Sequence, residues 1–221
     1  MSDDIARMLR DIRREVELTR SWIGKEELDP RVLAAMAKVQ RHEFVPQEFD
    51  YLAYSDGPLG IGHGQTISQP YIVALMTDLL RPQAGDVVLE VGTGSGYQAA
   101  VLSLLVKQVY SVEIVAPLAQ ESTARLRRLG YDNVSVRCGD GYLGWEEHAP
   151  FDAVIVTAAA LALPPPLLEQ LKCGGRMVIP VGMPYGRQVL SVIDKDEQGS
   201  IATTEVLPVA FVPLTGSHGK V

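Results

Sequence analysis

Cysteine is scarce in this chain. Cys138 and Cys173 are the only two in 221 residues, and they form no Cys-x-x-Cys pair. That excludes a disulfide framework and a thiolate zinc site as readings, and a reducing, cytoplasmic setting is expected. Histidine is as sparse: His42, His63, His148 and His218 are too scattered to form a ligand cluster, so no metal is expected. Long hydrophobic runs are missing. Stretches such as Val101 to Val106 fall far short of the roughly 18 residues a spanning helix requires. The start, Met1-Ser2-Asp3-Asp4, is acidic, and Arg7, Arg10, Asp11, Arg13 and Arg14 interrupt the apolar residues after it, so no signal peptide is expected. A surplus of positive charge is missing too. Twenty Lys and Arg face 27 Asp and Glu, a net charge of −7, which gives no global electrostatic case for nucleic acid or an anionic membrane as partner.

What is present is globular: 47% hydrophobic and 21% charged residues, in a length that suits one domain. Ile5, Met8, Leu9, Ile12 and Val16 follow helical spacing, which predicts an amphipathic helix over 3–22 with Ser2 as its cap. Both charge signs on its polar face indicate docking on its own domain in preference to a membrane surface. A second helix is expected from Asp29-Pro30, burying Val32, Leu33, Met36 and Val39. Residues 56–65 are so rich in glycine that no regular structure is expected there. A helix then runs from Pro70 to about Leu80.

From residue 87 the pattern alternates. Strands are expected at 87–91, 109–112, 134–136, 151–156 and 177–179, with helices at 97–106, 117–129 and 165–171. Strands this apolar are covered on both faces, which indicates a mostly parallel α/β sheet. The tail reads differently: 188–193 and 203–212, joined by Asp194 to Gly199, form an antiparallel hairpin.

Three features at successive strand ends carry chemistry. Glu90-Val91-Gly92-Thr93-Gly94-Ser95-Gly96 follows a strand and opens a helix, where glycines let the backbone turn sharply and approach a ligand. Glu113 ends the next strand, in the place where an acid takes ribose hydroxyls. Asp140, in Gly139-Asp140-Gly141, follows the third, placed to accept from an adenine amino group. The dinucleotide fingerprint would need glycine where Tyr97 stands. Glu90, just before the loop, repels phosphate and suits a sulfonium or ammonium group. Spacing and charge therefore favour S-adenosyl-L-methionine over NAD. No lysine follows the glycines, which excludes a Walker loop, and Thr93 breaks the Gly-x-Ser-x-Gly elbow of lipases.

The sequence resembles the protein-L-isoaspartate (D-aspartate) O-methyltransferase family from about Val32 to Thr215. The resemblance rests on Gly62-His63-Gly64-Gln65-Thr66-Ile67-Ser68-Gln69-Pro70, Leu89 to Ala100, Gly139-Asp140-Gly141, Phe151 to Ala159 and Phe211-Val212-Pro213-Leu214. It implies a single-domain, Rossmann-like class I methyltransferase fold. Residues 1–80 would form N-terminal helices and a substrate loop, 81–182 the cofactor-binding core, and 183–221 a hairpin and substrate-binding tail. It implies repair chemistry: methyl transfer from S-adenosyl-L-methionine to the free α-carboxylate of L-isoaspartyl residues in damaged proteins and peptides, leaving S-adenosyl-L-homocysteine. Succinimide formation would follow. Ser68 would be the active-site residue. Thr66 and Ile67 would line the wall between cofactor and acceptor. Glu90, Gly92, Thr93, Gly94, Gly96, Glu113, Ile114, Asp140, Gly141 and, less directly, Thr215 would surround the cofactor. Ile61, Gln65, Thr66, Ser68 and Val212 would meet the substrate. A monomer is expected.

Spacing alone gives Ser68 a second reading, as the cap of the helix beginning at Pro70. The sequence also departs from the family pattern at Gly60, at Ala160-Leu161-Ala162-Leu163 and at Cys173. The first two touch the acceptor rim. Three other readings stay open at this level: a carboxyl methyltransferase serving one dedicated peptide, a cofactor-binding module without catalysis, and an NAD oxidoreductase, the last weakened by Tyr97.

Overall fold

The computed structural model describes residues 2–216, with side chains from Asp3 onward. The cap expected of the Ser2 side chain, like His218, lies outside the described residues. Helices α1 (Ser2–Ile23) and α2 (Pro30–Lys38) come first. Asp29 caps α2 through the Arg31 N–H, at 2.8 Å, ahead of a first-turn proline, as expected. Met8, Ile12 and Val16 of α1 are buried, and α1 lies against α2, α3 (Pro70–Leu80) and the last strand. The helix thus docks on its own domain. Almost every side chain of α3 is buried, which is why its apolar stripe runs all the way round.

Between α2 and α3 the structure corrects one expectation. Residues 56–65 are not wholly irregular: β1 (Leu59–Gly62) and β2 (Gln65–Ile67) pair antiparallel. The glycines sit where the ladder tolerates them. Gly62 and Gly64 take the turn at φ 86° and 70°, with His63 between them at φ 52°. A register shift between Gly60 and Gly62 marks a bulge. Ile61 and Ile67 turn inward and anchor the hairpin on the core.

The main sheet has seven strands: β3 (Val87–Val91), β4 (Gln108–Glu113), β5 (Val134–Cys138), β6 (Phe151–Val156), β7 (Leu171–Gly182), β8 (Gln188–Lys195) and β9 (Ile201–Val209). Their spatial order is β5-β4-β3-β6-β7-β8-β9. The first five are parallel, and β8 is antiparallel to both neighbours. The C-terminal hairpin is therefore fused to the sheet edge. Helices α4 (Tyr97–Ser103), α5 (Ala116–Arg128) and α6 (Pro165–Gln170) connect the parallel strands. Alternate residues face opposite ways. Val88, Val109, Ala153 and Ile155 pack toward α1 to α5, while Leu89, Val91, Val154, Val156 and Phe151 form a second core with Leu167 of α6. Covering both faces makes the strand sequences continuously apolar.

Several boundaries move: α4 stops at Ser103, short of the expected 106, and most strands run one to three residues past their expected ends. β7 starts six residues before the expected 177, because a bulge opposite β6 absorbs Gly174 and Gly175. β9 stops at Val209, short of 212. There the Gln188 side chain bonds both the N–H and the C=O of Phe211, at 2.6 and 3.1 Å, and takes over the pairing.

Candidate active site

Chain order reverses at β3, which lies between β4 and β6. Open α/β sheets bind ligands at the carboxyl ends of the strands flanking such a reversal. The residues singled out from sequence gather there. Gly92 leaves β3 at φ 95°, its N–H bonded to Val112 O at 2.8 Å. A Cβ on Gly92 would stand 2.5 Å from Thr157 Oγ1, so the position admits only glycine. Thr157, the first residue after β6, donates to Gly92 O at 2.6 Å and fastens the loop to the neighbouring strand. Gly94 has φ 53° and donates its N–H to Glu113 Oε2 at 2.7 Å, and the other Glu113 oxygen accepts from Val115 N at 2.9 Å. Glu113 thus holds the loop and its own strand end while its carboxylate lines a cleft. Gly96, at φ 89°, ends the loop with Leu126 of α5 packed beside it.

Beneath the loop lies a buried polar chain. Thr93 Oγ1 is 2.6 Å from Ser111 Oγ, and Ser111 donates to the Glu90 carboxyl. Glu90 is fully buried on the strand side of the loop and does not line the cleft; among the described residues its second oxygen has no partner. Burial, with Glu113 adding repulsion, pushes its pKa up to about 8 against the Ser111 hydrogen bond.

The cleft is walled by Gln65 and Thr66 of β2, by Val91, Gly92 and Gly94, by Val112, Glu113 and Ile114, by Gly141, by Thr157 and Ala158, and by the tail from Val212 to Thr215. The tail is pinned there: Ala159 N–H donates to Val212 O and Leu214 N–H to Ala159 O, both at 2.8 Å. Asp140 accepts from Tyr142 N at 3.0 Å, and Gly216 approaches its carboxylate so closely that a Cβ would stand 2.4 Å away. Glu113 is the only formally charged residue among those walls. With no cation among the described residues that line it, the cleft fits a nucleoside with a cationic group and is ill suited to a pyrophosphate.

A second groove adjoins the first and shares Thr66, Thr157 and Val212 with it. Ser68, Gln69, Tyr71 and the segment from Leu207 to Val212 line this side. Thr66 and Val212 both lie in that shared wall. Gln65 lines the first cleft only. Ile67 and Ile61 are buried in the core, with Ile61 Cδ1 against Gly94, and support the wall from behind.

Ser68 does not cap α3. Asp56 does: its carboxylate accepts from Tyr71 N at 2.9 Å and from Gln69 Nε2 at 2.7 Å. Among the described residues the Ser68 hydroxyl has no hydrogen-bond partner, and it lines the groove. Its carbonyl is held by Arg41, which is fully buried. Arg41 Nη2 donates to Ser68 O and Nε to Ala53 O, both at 2.8 Å, and the guanidinium lies 4.7 Å over the Tyr97 ring, at the start of α4. Burial lowers its pKa, opposed by the Tyr97 hydroxyl. Arg41 and Thr157 are site residues that sequence reasoning missed. Thr157 had a signal, the first polar residue after an apolar strand next to the reversal. Arg41 had none, since only tertiary packing buries it.

Comparison with known proteins agrees with this geometry. Residues 13–219 match the family model described as protein-L-isoaspartate(D-aspartate) O-methyltransferase. The chain is similar to protein-L-isoaspartate O-methyltransferase 2 of Syntrophobacter fumaroxidans, 61% identical over 96% of this chain and 86% of that one. It is 60% identical to the Polaromonas sp. protein of the same name, over 96% of this chain and 100% of that one. Among solved structures, a protein-L-isoaspartate O-methyltransferase superposes with a TM-score of 0.79 at 29% identity, covering 94% of this chain and 67% of that one. A Plasmodium falciparum structure described as a protein of the same kind, in complex with S-adenosyl-L-homocysteine, gives 0.74 at 28% identity over 93% and 97%.

Proposed function

The chain belongs to the protein-L-isoaspartate(D-aspartate) O-methyltransferase family, and from that premise we propose how its two adjoining cavities divide the work. The enzyme transfers a methyl group from S-adenosyl-L-methionine to the free α-carboxylate of L-isoaspartyl residues in damaged proteins and peptides. The cofactor supplies an electrophilic methyl on a sulfonium centre. The next backbone nitrogen then displaces methanol from the ester, and the resulting succinimide hydrolyses in part to normal aspartate.

The observation that carries the division is the shared wall. Glu113 and the glycine loop line one cavity, the free Ser68 hydroxyl lines the other, and only Thr66, Thr157 and Val212 line both. We assign the first to the cofactor and the second to the acceptor. Glu113 accepts from the ribose hydroxyls with the lone pairs that Gly94 and Val115 leave free. Gly141 and Ile114 flank the adenine, with Asp140 beside them, and Thr215 closes the opposite end. Glu90 and Thr93 act from beneath, by holding the loop's shape.

The acceptor carboxylate is ionised at neutral pH and needs no general base. Exposed His63, at the hairpin tip, therefore has no proton to remove. Opposite charges meet and cancel as the methyl moves, so the protein's tasks are alignment and exclusion of water. Ser68 donates to the acceptor carboxylate, and Arg41 fixes the backbone from which it does so. We further propose that residues 1–80, 81–182 and 183–221 act as one catalytic unit, monomeric and cytoplasmic, with neither nucleic acid nor membrane as partner. Among the described residues no helix is long and apolar enough to cross a membrane.

Ser68→Ala tests the assignment. Titration with S-adenosyl-L-homocysteine is expected to give an unchanged Kd, while kcat on an isoaspartyl peptide falls roughly tenfold, the worth of one hydrogen bond to a charged group. Unchanged turnover would remove Ser68 from the reaction.

A further inference from the structure

The acceptor groove continues beyond Ser68 to α1, where Glu15 and Thr19 line it. Thr19 Oγ1 and the Tyr71 hydroxyl lie 2.5 Å apart, so α1 is tied to α3 at this point. Glu15 sits one helical turn before Thr19 on the same face. Its carboxylate is half-buried and, among the described residues, forms no ion pair; Arg14 and Arg20 of the same helix are solvent-exposed. Among the described residues it is also the only formally charged side chain lining the groove. Lining the groove alongside Tyr71, with no ion-pair partner among the described residues, this carboxylate leaves a negative potential along one wall of a channel whose substrate arrives with a carboxylate of its own.

We infer that this end of the groove is a subsite for a cationic side chain, Lys or Arg, flanking the isoaspartyl residue of the acceptor. The inference rests on the reading of the groove as the acceptor site. An acidic flank brings a second anion against Glu15 with nothing to compensate it, whereas a basic flank pairs with it. Helical spacing carries the same face outward through Leu18 and Trp22, which are 67% and 59% exposed. A chain leaving along α1 meets an apolar surface for a Lys or Arg stem and then an indole face that attracts a cation.

The test uses isoaspartyl peptides identical except for Lys, Gln or Glu at the positions flanking the damaged residue. Base-labile methyl ester is measured with wild-type protein, Glu15→Gln, Glu15→Lys and Glu17→Gln. In the wild type the Lys peptide is expected to exceed the Glu peptide in kcat/KM by about threefold to fivefold, as for a partly exposed ion pair, and the difference is expected in KM. That ratio is expected to approach one in Glu15→Gln and to invert in Glu15→Lys. Glu17→Gln makes the same charge change on α1 outside the groove and is expected to keep the wild-type ratio. No preference in the wild type, a ratio that survives Glu15→Gln, or an equal loss in Glu17→Gln would overturn the subsite. Absence of ester on every isoaspartyl peptide would instead overturn the repair reading beneath it.

Discussion

Glu90 shows how the charge of a single side chain can be legible in a sequence while its direction is not. Its charge and its position before the glycine loop pointed to a cationic cofactor, yet the structure turns the carboxyl away from the cleft, toward Ser111. A strand residue next to a loop can face either way, and only the pairing of β3 with β4, which sets Glu90 opposite Ser111, decides which. The consequence is measurable. The folded-state pKa is raised from 4.5 to about 8, so the folded protein holds a proton that the unfolded chain releases. The stability this provides is complete below the unfolded value and is lost as pH rises through the folded one. Denaturant unfolding between pH 5 and about 8 is expected to lose up to about 1 kcal/mol per pH unit from this group. Glu90→Gln is expected to flatten that slope. Identical slopes in the two proteins would show that Glu90 is ionised throughout. Ser68 carries the complementary lesson. Spacing alone favoured a cap, and Asp56, twelve positions earlier, occupies that role, which leaves the hydroxyl to the groove. No local pattern announces a cap supplied from so far away.

At the scale of elements, periodicity located nearly everything that packs. Strands at 87–91 and 151–156 and the helix at 70–80 agree to the residue, because their apolar residues bury on surfaces that leave no freedom of register. The glycine-rich segment before α3 was illegible for the converse reason. Its pairing is made by backbone, with few side chains to reveal it, and its ladder is only three residues long on the β2 side. This hairpin supplies Thr66 to the wall between the cavities and rests on Asp56 through α3. Asp56→Ala is expected to cost about 1 kcal/mol of unfolding free energy, the usual worth of a helix cap, and to raise KM for isoaspartyl peptide. A variant with native stability and native KM would show that the cap is dispensable. The hairpin's short ladder also marks it as a low-stability unit. Amide exchange over residues 56–68 is expected to slow when S-adenosyl-L-homocysteine and peptide are bound together. Equal exchange in the free and bound protein would show a rigid loop.

For the molecule as a whole, fold and cofactor were legible from motif order: a glycine loop, an acid at the next strand end and a second acid at the third, set on alternating strands and helices; the reaction came only with the family resemblance carried by residues 62–70 and 211–214. The sheet order explains why they meet, since β4 and β5 lie successively outward from β3. What the order of motifs did not convey is the part made by chain segments far apart in sequence. The wall shared by Thr66, Thr157 and Val212 draws on three such segments, and buried Arg41 ties Ser68 to the Tyr97 end of the glycine loop. The proposed division of this molecule into a cofactor cavity and an isoaspartyl cavity is tested most directly with two peptides of one sequence, one carrying L-isoaspartate and the other L-aspartate. Each is incubated with the protein and methyl-labelled S-adenosyl-L-methionine, and base-labile methyl ester is counted. Label on the isoaspartyl peptide alone is the expected result; label on both alike, or on neither while the cofactor demonstrably binds, would contradict it.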